Sequence, residues 1–160
     1  MGFTEKERTP LTYLIDELTN NINDHSFAEY GSIFAQFYPS KKYLDVCICD
    51  LGIGILKSYL NNGEYLNSHA EAIKLAISGV STKDRPEARG FGISTSLEML
   101  VNGLNGRFFL WSGDAFYYKY VDKETITNIS ELSAFYNGTY CALRIPTLIP
   151  KNFDIYRYIS

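Results

Sequence analysis

Three stretches of the chain carry side chains whose types and spacing can do chemistry. Glu17 and Asn21 stand four residues apart, so on a helix they project from one face. At about 100° per residue they lie beside the apolar stripe of Leu11, Leu14, Ile15, Leu18 and Ile22, not opposite it. A carboxamide oxygen at such a margin suits a hydrated magnesium ion, which takes oxygen ligands and keeps several waters. A carboxylate one turn away could orient or deprotonate a water or an acceptor. The second stretch is Asp50-Leu51-Gly52-Ile53-Gly54, directly after a strand-like run. An Asp at a strand end can accept from an amino group on a base edge. The two glycines let the backbone turn tightly and let a flat ring approach. The third is Arg89-Gly90-Phe91-Gly92, ahead of a helical segment. Amides at a helix start stabilise anions, and Lys83, Arg85 and Arg89 add positive charge. Taken singly, each stretch also has an ordinary reading: a solvated helix face, a strand-to-helix turn, a glycine-containing connection.

The elements that must position these groups follow from periodicity. Residues 11–25 read as a helix, with Pro10 suited to its first turn. Residues 43–49 alternate Leu44, Val46 and Ile48 against Tyr43, Asp45, Cys47 and Cys49, which predicts a strand. A second helix is expected over 69–78, with Ser68 and Glu71 as a capping box and Gly79 as its stop. The polar stretch from Val80 to Arg89 reads as a loop. Beyond Gly92 the sequence turns helical again on Ile93, Leu97, Leu100 and Leu104. RFFLW and AFYYKY, around Ser112-Gly113-Asp114, read as a hairpin, and TYCALRI as a last strand after Asn137-Gly138. The order points to an α/β fold, a two-layer sandwich with helices on one face of a mixed sheet.

The whole chain sets limits. Its 160 residues, 46% hydrophobic and 21% charged, suit one globular domain spanning 1–160. A net charge of −3 argues against a nucleic-acid partner. No apolar run approaches the ~20 residues of a membrane span, and the first residues lack the apolar core of a signal peptide. Cys47, Cys49 and Cys141 cannot all pair, and no further Cys or His stands at ligand spacing. They read as small buried hydrophobes in a reducing cytoplasm. His25 and His69 read as structural or surface residues.

In their order along the chain, these segments resemble the nucleotide-binding boxes of the GHKL superfamily, the ATP-binding domain of histidine kinases, type II topoisomerases and certain chaperones. ELTNN resembles its Asn-containing box, DLGIGI its first glycine box, RGFGI its second, and Gly138-Thr139 its GT element. The likeness implies the histidine kinase-like ATPase fold and a site for ATP or ADP with Mg²⁺. By resemblance Asn21 is the magnesium-binding Asn, Glu17 the base or water-orienter, and Asp50 the reader of the adenine amino group. Gly52 and Gly54 would lie beside the base, Gly90 and Gly92 would let a lid at 79–92 meet the phosphates, and Thr139 would reach adenine. Lys83 and Arg89 are added as phosphate contacts on charge alone. The family commonly places a strand before this helix, whereas the 16 residues preceding Glu17 show no strong strand pattern. The chain therefore reads either as a piece of a longer protein or as a form without that strand. No helical dimerisation segment with a phosphoacceptor His is visible, and NDHS after Asn21 resembles sensor-kinase and anti-sigma-factor kinase domains more than topoisomerases. The implied function is γ-phosphoryl transfer to a partner protein in bacterial signalling. The alternatives are an ATP-hydrolysing conformational switch and a module that holds ATP or ADP without turnover.

Overall fold

The computed structural model describes residues 5–80, 92–121, 123–128 and 134–159. A long helix α1 (Glu5–His25) leads into β1 (Gly31–Tyr38) and β2 (Tyr43–Asp50). Three helices follow: α2 (Gly54–Asn61), α3 (His69–Ile77) and α4 (Ile93–Glu98), the last continuing into a wider π turn over Met99–Gly103. Strands β3 (Arg107–Gly113), β4 (Ala115–Tyr120), β5 (Lys123–Asn128) and β6 (Tyr136–Pro146) come next, then a short α5 (Tyr156–Ile159).

The strands form one sheet in the order β1-β2-β6-β3-β4-β5. Every neighbouring pair is antiparallel, which corrects the expected mixed sheet. The reason is topological. The α2–α4 crossover joins β2 to β3, and these two run the same way, but β6 inserts between them and opposes both. A helical crossover therefore coexists with a purely antiparallel ladder.

Side-chain alternation decides which face the helices cover. Val46, Ile48, Phe108, Leu110, Tyr117, Cys141, Leu143 and Ile145 are buried in one cluster with Leu11, Leu14 and Leu18 of α1 and with Ile55, Ile73 and Leu97 of α2, α3 and α4. Their strand neighbours Cys47, Phe109, Trp111, Tyr118, Tyr140 and Arg144 are half-buried on the opposite, helix-free face. Cys47 and Cys49 thus leave the core that the sequence suggested for them; only Cys141 is buried, and all three thiols are free. On the open face Arg144 holds Asp45 through two bonds of 2.8 and 2.7 Å across the β2–β6 pair. No described helix is long and apolar enough to cross a membrane.

The expected elements recur with shifted ends. Helix α1 starts at Glu5, so Pro10 lies inside it and not in its first turn. The charged residues ahead of Leu11 extend the helix without adding to the apolar stripe, so periodicity is blind to them. At α3 the Ser68 hydroxyl accepts from the Glu71 amide at 3.2 Å, while the Glu71 carboxylate accepts from the Asn67 amide, one residue earlier than a reciprocal capping box requires. Gly79 ends the helix at φ +87°.

Candidate functional site

A pocket of about 320 Å³ opens between α1, the C-terminal end of β2 and the starts of α2 and α4. Its lining includes Glu17, Asn21, Asp50, Gly54, Gly92 and Thr139, six of the residues singled out from sequence. They come from five separate stretches, and Ile48, Leu110 and Ile55 form an apolar floor beneath them. Gly52 is not among the lining residues. Lys83, Arg89 and Gly90, with most of the expected lid, lie outside the described residues; Gly79 and Val80 on one side of that segment and Gly92 on the other do line the pocket.

Asp50 closes β2 and is only 3% exposed. Its Oδ1 accepts from the Gly52 amide at 2.8 Å, and the Thr139 amide also bonds the carboxylate. Oδ2 is buried with no hydrogen-bond partner. Burial pushes the carboxyl above its ordinary value, and the two amide bonds only partly offset this. A buried acceptor left unmet costs about 1–3 kcal/mol, so Oδ2 is a standing site for a donor from outside the chain.

The glycines around Asp50 divide their work. A Cβ on Gly52 would sit 2.0 Å from the Ser26 carbonyl oxygen. That residue therefore serves the contact between the β2 turn and the end of α1, where Ile53 donates to the same carbonyl at 2.7 Å. Gly54, at φ +74°, faces Ser112 and Gly138 and does line the pocket. Gly138, at φ +100°, lies so close to Asp50 that a Cβ would stand 2.3 Å from its backbone oxygen. Ser112 ties this end together: its buried hydroxyl accepts from the Ile55 amide at 3.0 Å and donates to the Gly138 carbonyl at 2.7 Å. Sequence reasoning passed over Ser112 as part of a hairpin turn, since nothing local marks a hydroxyl that works across three elements.

On the α1 side, Asn21 presents a buried Nδ2 without a partner. Glu17 lines the pocket one turn earlier, and Tyr13 lies a further turn back, its hydroxyl pushed up to about 12 by burial and by the Glu17 charge. The described lining contains the carboxylates of Glu17, Asp24 and Asp50, one His, and no Lys or Arg. An anionic ligand would meet net repulsion from these residues, so it would need a cation alongside it. The Asn21 carboxamide, whose amide nitrogen the protein leaves unused, is a neutral group with an oxygen suited to such a cation. At the mouth, Tyr59 of α2 donates to the Val80 carbonyl at 2.5 Å. His25 also lines the pocket, while His69 pairs with Asp114 at 2.9 Å and packs edge-on to Phe135 away from it. No family model matches the chain, and no curated protein matches it significantly.

Proposed function

We propose that this chain is a GHKL-type ATP-binding domain with a two-layer histidine kinase-like fold, transferring the γ-phosphoryl group of ATP to a partner protein. One observation carries the reading. Six residues expected from sequence, drawn from five stretches, line one pocket, and at its sheet end Asp50 holds a buried, unmet acceptor. That acceptor fits the exocyclic amino group of adenine, and the apolar floor fits the face of a base. Thr139 lies beside Asp50 on β6, placed to add a second polar contact at the base.

At the α1 end, Asn21 would hold Mg²⁺ through its carboxamide oxygen, and the ion would neutralise phosphate charge in a pocket whose described lining is acidic. Glu17 then acts as base toward an acceptor hydroxyl or imidazole, or orients a water. Gly92, opening α4, keeps backbone near the phosphate end uncovered by side chain. Lys83, Arg89 and Gly90 are assigned to the phosphates on sequence grounds, as is the lid at 79–92.

The test is calorimetry of the folded chain with ATP and ADP, with and without Mg²⁺, followed by γ-labelled ATP and wild-type or Glu17→Gln protein. Mg-dependent binding is expected for both nucleotides. Glu17→Gln should keep or tighten binding, because one negative charge near the phosphates is gone, and should slow any turnover by about a hundredfold or more. Absence of binding by either nucleotide overturns the reading. Label retained on a partner marks a kinase, free phosphate marks a hydrolysing switch, and binding without either marks a holding module.

A further inference from the structure

The two edges of the sheet differ in chemistry. Strand β5 (KETITN) is six residues long and opens on Lys123 and Glu124. Strand β1 (GSIFAQFY) is eight residues long, without a charge, a proline or a bulge. It pairs with β2 without a register shift from Gly31↔Asp50 to Tyr38↔Tyr43. Among the described residues no strand pairs with its outer edge. Side chains on both its faces reach solvent: Ile33 is 50% exposed and Phe37 45% on the helix side, and Phe34 65% on the other. Charged residues, prolines and bulges are the means by which folded proteins keep a free edge from pairing. β5 has the charges; β1 has none of these devices.

We infer that β1 pairs antiparallel with β1 of a second copy of this chain, joining two six-stranded sheets across a two-fold axis. The occupant is identified by self-complementarity. With the axis at Ala35, Ile33 of each copy stands opposite Phe37 of the other on the helix side, so two apolar cross-strand pairs form at once. Phe34 stands opposite Gln36 on the other face, and the smallest side chain of the strand sits on the axis. The flanks agree with the direction. Exposed Glu29 precedes the strand, and exposed Lys41 and Lys42 follow it. Antiparallel pairing brings the acidic start of each strand to the basic end of the other, whereas parallel pairing would set like charges together. The pairing follows an exposed edge and its flanks, so it buries less than the ~800 Å² per partner of a standard interface. The dimer therefore forms reversibly, as concentration rises.

Sedimentation of the full chain over a wide concentration series tests this, with monomer at the dilute end and dimer at the concentrated end. Lys41→Glu with Lys42→Glu, both at exposed positions, should raise the dimer dissociation constant at least tenfold by setting acid against Glu29. Adding Glu29→Lys should return it toward wild type. Under mild oxidation, Ala35→Cys should give a covalent dimer that wild type does not, since residues at the axis approach to about 4.5–5.5 Å between Cα atoms. Ser32→Cys, whose opposite residue is Tyr38, should not. A chain that stays monomeric at every concentration, a dimer indifferent to the charge changes, or crosslinking by Ser32→Cys in place of Ala35→Cys would each overturn the inference.

Discussion

The two ends of the pocket are built on different principles. At the sheet end, Asp50, Gly54, Ser112 and Gly138 are locked by close backbone approach and by hydrogen bonds among β2, β3, β6 and α2. At the α1 end, Glu17 and Asn21 project from one helix, and a Cβ added at Gly92 would meet nothing within 4 Å. The difference teaches where each kind of residue matters. The sheet end is pre-organised by backbone, so its critical positions are the ones that cannot carry a side chain. The helix end works through side chains, so its critical positions can be exchanged without unfolding the protein.

The largest expected effect comes from moving a methyl group between the two ends. Gly138→Ala places a Cβ at φ +100° and 2.3 Å from the Asp50 carbonyl oxygen. Left-handed strain alone costs about 1–3 kcal/mol, and the clash with backbone adds to it. The melting temperature should fall by roughly 10 °C or more. Gly92→Ala, at φ −138° and in open space, should change stability by no more than about 0.5 kcal/mol. Thermal unfolding of the two variants decides the matter, and equal shifts would erase the distinction between a backbone-built and a side-chain-built end.

How much of this could be read from the residues follows the same division. The apolar stripe of α1, the alternation of β2 and the Ser68 cap of α3 were legible, because each is a local period or a local hydrogen bond. Strand β1 was not, because both its faces reach solvent and its apolar residues therefore do not alternate with polar ones. Helix α2 was hidden in what read as a turn after Asp50. The insertion of β6 between β2 and β3 leaves no local trace, since the pairing spans most of the chain. At the site, the types of Glu17, Asn21 and Asp50 flagged them before any geometry was known. The glycines were flagged together, yet only the fold separates Gly52, pressed on Ser26, from Gly54, which faces the pocket.

A smaller and two-sided effect is expected of Asp50→Asn. If Oδ2 accepts from adenine, its loss removes a charge-assisted bond of about 1.5–3 kcal/mol, weakening ATP roughly 10- to 100-fold with much less effect on GTP. Stability should move the other way. Burial raises the carboxyl in the folded chain, so the folded state holds this proton more tightly than the unfolded one. The group therefore favours folding when protonated, and that contribution is lost as pH rises through its folded value. At neutral pH it is ionised and costs stability, which the Asn variant relieves, so the apo melting temperature should rise by a few degrees. Nucleotide affinity has the opposite pH dependence. It should fall as pH drops toward the raised carboxyl value, at a pH above the ordinary carboxylate range, because a protonated Oδ2 can no longer accept. Equal losses for ATP and GTP, or a less stable variant, would detach Asp50 from base recognition.

The smallest effect is expected where the two ends meet, at Tyr59. Its hydroxyl reaches from buried α2 to the Val80 carbonyl just beyond α3, a bond of 2.5 Å that anchors the pocket mouth to the rigid end. Burial and the Glu64 charge push that hydroxyl up to about 12, so it remains a donor across the whole neutral range. Tyr59→Phe keeps the ring in the core and removes only the donor. Val80 is exposed, so water can take up the freed carbonyl and little of the bond's worth is lost. The global cost should be about 1 kcal/mol or less, a shift of roughly 2–4 °C. The local consequence should be clearer: amide exchange at Gly79 and Val80 should quicken while that of β2 and β6 stays unchanged. Nucleotide affinity should change by less than about threefold, since the bond holds the mouth and not the base. Unchanged exchange at 79–80 would mean that the contact anchors nothing. A loss of affinity rivalling Asp50→Asn would mean that the mouth belongs to the pre-organised end after all.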